Sequence, residues 1–319
     1  MARSAKTPAM QFGHLQEEDL NAITFSLPPD GLLTKNSLSG SGNKNAPQVY
    51  VGCAKWGRKE WVGNLYPQKT KEAVFLDHYI QHFNGIELNA THYKIYTADE
   101  IAVWTNKAGN ADFKFCPKVP QAISHFSDLV SPKAHESTDK FLKGIVALKE
   151  HLGPVFLQLS DRFSPLKKDN LYAYLKSLPK DLQFFVEVRH RDWYADAAIR
   201  KEYCQTLKEL NVGAVILDTA GRRDCIHMEL TVPKAFIRFT GNNLHATDYT
   251  RIDQWINRIK KWLDSGLQEL YFFMHQPDET FTPEACNYVV KEMNKHCKTN
   301  LILPISEKAN FKCGFFSAY

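Results

Sequence analysis

From Val49 onward, one rhythm recurs along the chain: a short apolar run, a polar loop, then an amphipathic stretch with helical spacing. That alternation is the signature of βαβ units, which join parallel strands through crossover helices. Eight runs qualify as strands: Val49–Ala54, Gly85–Leu88, Phe113–Lys118, Val155–Leu159, Phe184–Val188, Gly213–Leu217, Ala235–Phe239 and Leu270–Met274. Eight such units in about 250 residues favour a closed (β/α)8 TIM barrel over an open sheet. With 319 residues, 44% of them hydrophobic, the chain can bury a core of that size.

The connecting stretches carry helix signals. Ser131-Pro132 and Thr282-Pro283 pair an N-cap with proline at the first helical position. Thr97-Ala-Asp-Glu100 reads as a capping box. Ile252, Trp255, Ile256, Ile259, Trp262 and Leu263 form a stripe that faces a sheet. The sixth βα unit is irregular: Asp218 to Arg238 holds Gly221-Arg-Arg-Asp-Cys225 and Thr231-Val-Pro233, so a loop is expected in place of a helix. Residues 1–48 read as an N-terminal extension with a flexible linker, Leu38 to Pro47, ahead of a barrel domain over 49–319.

Several function classes lose ground on composition. No Gly-x-Gly-x-x-Gly follows the first strand and no P-loop is present, so no nucleotide cofactor is expected. Seven cysteines without a Cys-x-x-Cys pair form neither a disulfide framework nor a zinc site. The apolar runs are too short to span a bilayer, and the first residues lack the apolar core of a secretory signal; a cytoplasmic protein with no membrane partner is expected. A net charge of +5 suits an anionic partner, with nucleic acid among the candidates. Oligomeric state is not written in these features.

Chemistry in a parallel barrel belongs to the C-terminal strand ends, which all open on one mouth. Strand alternation puts Glu87 with Asn89, and Glu187 with Arg189, on common faces. Lys118, Gln158, Asp218, Arg238 and His275 each end a strand. We therefore expect Glu187 and Asp218 to share proton transfer, with Glu87 assisting. Lys118, Arg189 and Arg238 would bind the anion, a role in which loss of Arg238 weakens binding and spares the fold. Gly241, in Arg238-Phe-Thr-Gly-Asn-Asn243, would let backbone amides approach a phosphate. Tyr93, His190 and Trp193 complete the expected substrate contacts, and Trp56, Trp61 and Tyr66 flank the same loops. Three carboxylates against three cations argue against a tightly held divalent metal, so none is expected.

The strand-end motifs resemble one family closely. Val51-Gly-Cys-Ala-Lys-Trp-Gly57, Trp61-Val-Gly-Asn-Leu-Tyr-Pro67, Phe83-Asn-Gly-Ile-Glu-Leu-Asn89 and His92-Tyr93 occur in order. Phe113-Lys-Phe-Cys-Pro-Lys-Val-Pro120 with His125, Leu152-Gly-Pro-Val-Phe-Leu-Gln-Leu159, Val186-Glu-Val-Arg-His190 with Trp193, Asp218, and Ile237-Arg-Phe-Thr-Gly241 follow. The series resembles the domain of unknown function 72 (DUF72) family, the YecE-like proteins, from about Val49 to Val290. The resemblance implies a TIM barrel similar in shape to xylose-isomerase-like and endonuclease-IV-like barrels. At strand eight the chain departs from the family's asparagine pair, carrying Phe273-Met-His-Gln-Pro277.

Together these features favour an enzyme (a hydrolase, lyase or isomerase in type) using acid/base carboxylates on a small or polymeric anionic substrate, phosphate-bearing forms included. The alternatives are a metal-dependent hydrolase or nuclease of endonuclease-IV-like type, and a non-catalytic nucleic-acid-binding protein.

Overall fold

The computed structural model describes residues 13–39 and 46–305. Eight parallel strands form one sheet: β1 (Gln48–Cys53), β2 (Gly85–Leu88), β3 (Lys114–Pro117), β4 (Val155–Gln158), β5 (Phe184–Glu187), β6 (Gly213–Asp218), β7 (Lys234–Thr240) and β8 (Glu269–His275). Their order, β3-β2-β1-β8-β7-β6-β5-β4, leaves β3 and β4 at the ends. These two meet through parallel bridges at Phe115–Leu152 and Lys118–Phe156, with Val119 N–H donating to the Phe156 carbonyl at 2.9 Å. The sheet thus curls into the expected barrel, its β3–β4 seam thinner than the other pairings.

We number the helices of eight residues or more, among the described residues, α1 (Leu32–Ser39), α2 (Phe75–His82), α3 (Ala98–Ala108), α4 (Pro132–Ile145), α5 (Lys168–Ser177), α6 (Ala197–Glu209), α7 (Ala246–Asp264) and α8 (Thr282–Cys297). Helix starts follow the sequence signals. Thr97 and Glu100 form the capping box of α3, and Ser131 caps α4 with Pro132 at its first turn. Helices α2 to α8 surround the barrel, and no described helix is long and apolar enough to cross a membrane.

As expected, no full helix links β6 to β7; a 3-10 turn, Ala220–Cys225, stands there. The chain then runs back along β6, where Thr231 Oγ1 donates to the Val212 carbonyl and accepts from Ala214 N–H. The vacant outer position is taken by α1, from the N-terminal extension. Thr34 Oγ1 donates to the Met228 carbonyl and accepts from Leu230 N–H, while Ser37 Oγ donates to the Leu230 carbonyl at 2.8 Å. Leu38 is buried in the main core. The segment before α1 is tied to α7: Arg258 pairs with Asp30 and donates to the Pro28 carbonyl, and Trp262 Nε1 donates to Asp30. The linker expected over 38–47 lies outside the described residues at 40–45, whereas Leu38 and Ser39 are the last turn of α1.

Inside the barrel, Tyr50, Cys116, Phe156, Phe185, Val215, Phe236, Tyr271 and Phe273 form one apolar plug. These residues alternate with outward ones such as Ile216, Ile237 and Phe272, which pack under the helices. The plug sets the floor of everything above it.

Candidate active site at the C-terminal mouth

The polar residues above the plug follow a simple rule. Two positions after Cys116, Phe156, Phe185, Phe236 and Phe273, on the same strand face, stand Lys118, Gln158, Glu187, Arg238 and His275. Glu87 joins them from β2. This layer is buried yet strongly charged, and its members bond to one another.

Arg238 is the hub. Its Nε and Nη2 donate to the two carboxylate oxygens of Glu87 at 2.7 and 2.9 Å, and its Nη1 donates to Glu187 at 2.6 Å. Nη1 also approaches Gln158 Oε1 at 3.4 Å. Arg189 Nε holds the other Glu187 oxygen at 2.6 Å. Around Glu87, Asn89 Nδ2 donates at 2.8 Å and His275 Nε2 lies at 3.0 Å. Lys118 Nζ donates to Gln158 Oε1 at 3.0 Å, so Gln158 bridges two cations. The aromatic floor is close: the Phe156 ring lies 5.6 Å from the Arg238 guanidinium carbon and 5.9 Å from Lys118 Nζ.

Burial and pairing compete at each group. Burial alone would raise the Glu187 carboxyl, but Arg189 and Arg238 outweigh it and hold it down at about 2. Glu87 is likewise held well below its usual value against burial by Arg238 and His275. For Lys118 burial leads, Arg238 and Arg189 add to it, and the two glutamates only partly offset it, leaving the ammonium at about 7. His92 and His125 are pushed down to about 3 and 4 by burial and by Lys118. Both imidazoles are therefore neutral at pH 7.

An acid-stability prediction follows. A carboxyl held at about 2 when folded and 4.5 when unfolded stabilises the fold by roughly 3 kcal/mol. That contribution is fully present above pH 4.5 or so and is lost as pH falls toward 2. Urea unfolding should show stability dropping steeply below pH 5; a curve flat from pH 6 to 3 would refute the pairing.

Asp218 does not join this layer. On β6, Val215 belongs to the plug, so Asp218 faces outward toward α7. Its carboxylate, fully buried, pairs with Arg223, takes Arg251 Nη2 at 2.8 Å and takes Trp255 Nε1 at 2.7 Å. Arg251 in turn stacks 4.2 Å from the Phe239 ring centre and 5.1 Å from Phe25 of the extension. This second charged cluster pins α7 and the N-terminal segment to the barrel.

The loop after β7 also departs from expectation. Its amides already have an anion: Asp248 Oδ2 accepts from Asn242 and Leu244 N–H, at 2.7 and 3.1 Å. Gly241 N–H donates to the His275 carbonyl and Asn243 N–H to Gln276. A Cβ on Gly241 would fall 2.4 Å from Gln276 Nε2 and 2.7 Å from Asp248 Oδ2, so close packing demands the glycine. The amides therefore hold an internal carboxylate where a phosphate was expected. Trp193 is buried, donating to the Phe163 carbonyl at 2.8 Å. His190 accepts from Asp192 N–H beside the short helix that follows. Trp61 and Tyr66 are core residues, whereas Tyr93 stands exposed on the rim against His92.

Above the layer lies a cavity of about 500 Å³, lined by Arg189, Arg222, His125, Ser160, Asp161 and His14, among others. Its N-terminal wall is fixed by the Gly13 carbonyl, which accepts from Gly221 N–H at 2.7 Å and Thr219 Oγ1 at 3.0 Å. Sequence reasoning missed His14, Asp161 and Arg222 because none continues a strand alternation, whereas Ser160, two positions past Gln158 on the β4 face, could have been found by that rule. Among the described residues, no group of three or more His, Cys, Asp or Glu side chains is placed to hold a metal ion. Between Glu87 and Glu187, the place a divalent ion would bridge, sits the Arg238 guanidinium.

Fold and strand-end layer together define a TIM-barrel protein with a charged, aromatic-floored mouth. The chain belongs to the DUF72 family, "Protein of unknown function DUF72", whose model matches residues 50–308. Escherichia coli "UPF0759 protein YecE" is 27% identical over 265 residues, covering 77% of this chain and 93% of that protein. Bacillus subtilis "UPF0759 protein YunF" is 27% identical over 154 residues, covering 46% of this chain and 52% of that protein. Solved DUF72 family structures share the fold. The protein from Thermotoga maritima superposes with a TM-score of 0.60 at 21% identity, covering 78% of this chain and 99% of that one. One from Enterococcus faecalis gives 0.60 at 18%, covering 80% and 99%.

Proposed function

We propose that this protein is an enzyme that binds an anionic, carboxylate- or phosphate-bearing substrate in the cavity above the Glu87–Arg238–Glu187–Arg189 lattice. The supporting observation is the charge of the strand-end layer. With Asp218 outside it, three cations (Lys118, Arg189 and Arg238) face two carboxylates (Glu87 and Glu187). Because Lys118 titrates at about 7, the excess cation is present only in its protonated form, which a bound anion stabilises; Arg189 and Arg222 give the cavity cationic donors in either form. Arg189 links that layer to the cavity, which it lines beside Arg222.

In this reading the glutamates orient guanidinium groups and do not exchange protons. A carboxylate held at about 2 is too weak a base for catalysis at neutral pH. The metal-dependent alternative loses support because Arg238 occupies the gap between the two carboxylates.

Thermal unfolding tests the reading with phosphate, pyrophosphate and citrate as probes. Saturation at 100 times Kd should add roughly 2.7 kcal/mol of stability. Arg189→Ala should weaken that binding by roughly 10- to 100-fold, the loss of a charged hydrogen bond. Shifts absent for every anion, or unchanged in Arg189→Ala, would overturn the reading. A polymeric anion would instead show a steep fall of affinity with salt.

A further inference from the structure

We propose that Lys118 is a nucleophile that forms an imine with an anionic aldehyde or ketone bound at the mouth. The inference rests on the anion-binding reading above and adds the reacting group of the substrate, a carbonyl.

Lys118 differs in its partners from every other cation of the layer. Arg238 holds both glutamates and Arg189 holds Glu187, but among the described residues no carboxylate oxygen lies within 4.0 Å of Lys118 Nζ. Its hydrogen-bond partner is the neutral amide oxygen of Gln158 at 3.0 Å. An amide oxygen can accept from either an ammonium or an amine and, unlike a carboxylate, brings no negative charge to hold the nitrogen protonated. The charged groups that face Lys118 are Arg238, Arg189, Glu87 and Glu187, with His92 and His125 close by and neutral. Both glutamates are already neutralised by guanidinium groups, and the Phe156 ring, 5.9 Å from Nζ, offers the ammonium only a weak cation–π contact in their place. An ammonium in such a place is poorly stabilised, consistent with its titration at about 7. A buried lysine beside other cations is a standard way to expose an amine lone pair near neutral pH. Lys118 is buried and does not itself line the cavity, but Arg189 and His125, both of which act on it electrostatically, do; a substrate anion held by Arg189 would have to reach between them to bring its carbonyl to Nζ.

The step balances without a co-reactant. The Lys118 lone pair attacks the carbonyl carbon, and the π pair moves to oxygen, which takes a proton from the nitrogen. The carbinolamine then loses its hydroxyl together with the second N–H proton as water while the C=N bond forms. Hydrolysis reverses the sequence.

Reductive trapping on the full chain decides the matter. Pyridoxal phosphate and glyoxylate, a large and a small anionic aldehyde, are incubated at pH 7 with cyanoborohydride, and labelled peptides are mapped by mass spectrometry. Lys118 should be labelled roughly tenfold faster than the surface lysines by at least one probe, and inorganic phosphate should slow it. Lys118→Arg should lose the fast label while keeping the parent circular dichroism; should that variant misfold, the peptide map of the parent chain still decides. Labelling of Lys118 no faster than surface lysines with both aldehydes would overturn the proposal. If pyrophosphate still raises Tm in that case, the imine alone has failed; if no anion binds, the mouth reading has failed as well.

Discussion

Arg238→Ala is expected to lower the unfolding free energy by about 3–5 kcal/mol, the cost of breaking a buried ion pair from one side. The side chain is buried and holds three carboxylate oxygens, two of Glu87 and one of Glu187. Its removal leaves two desolvated negative charges facing each other across an aromatic floor. Asn89 and His275 still touch Glu87, and Arg189 still touches Glu187, but no other described cation bridges the pair. By sequence alone Arg238 is expected to bind the substrate, with an intact fold on its loss; its burial between two glutamates makes it a scaffold residue first. Urea unfolding measures the effect as a fall in midpoint at unchanged m. The triple variant Arg238→Met, Glu87→Gln, Glu187→Gln removes every charge of the bridge and should recover most of the loss, because a neutral packed cluster has no unpaired ion. An Arg238→Ala protein within about 1 kcal/mol of the parent would mean that water, not Arg238, satisfies the glutamates.

The barrel was legible because its strands alternate with helices at a spacing few other folds share. The six-residue stretch of β6 explains the main misplacement in the site. Gly213-Ala-Val-Ile-Leu-Asp218 is buried on both faces, so it reads as a continuous apolar run that hides which residues point inward. In β5, by contrast, Glu187 and Arg189 share a face across one intervening residue, and they meet as expected. The phase of β6 becomes visible only through its neighbours: Val215 joins the plug with Phe156 and Phe236, which sends Asp218 to the other side. Its partners Arg251 and Trp255 were hidden for a related reason. They sit in a helix whose stripe was read as apolar core, and Arg251 is a buried charge within that stripe. Asp248 was likewise invisible as the acceptor for the 242–244 amides, since its capping role depends on the turn geometry. The sequence of the extension suggests local packing of Ile23–Pro29 on the domain, and Phe25 does pack against Ala220 and Arg251, but nothing in its own residues reveals that α1 fills the place of the sixth helix. That required knowing that the irregular unit leaves a gap, and that Met228 and Leu230 present unsatisfied backbone groups there.

Lys118→Met is expected to make the protein more stable, with a gain that depends on pH. The sign follows from the folded and unfolded proton counts. Below about pH 7 the lysine is charged in both states, and the full cost of burying the ammonium is present. Between about 7 and the unfolded value of 10.5, the unfolded chain binds a proton that the folded chain does not. Stability of the parent therefore rises with pH across that window, by up to about 1.4 kcal/mol per unit. Methionine fills a similar volume with no charge to bury, and Gln158 keeps its contact with Arg238. The difference in unfolding free energy, variant minus parent, should be largest at pH 6 and should shrink by about 2–3 kcal/mol by pH 9. Taking the difference removes the buried tyrosines and cysteines, whose raised values act on both proteins alike. A difference that stays constant from pH 6 to 9 would mean that Lys118 remains an ammonium throughout. In that case the layer would hold three permanent cations, and the neutral amine at the mouth would have no physical basis.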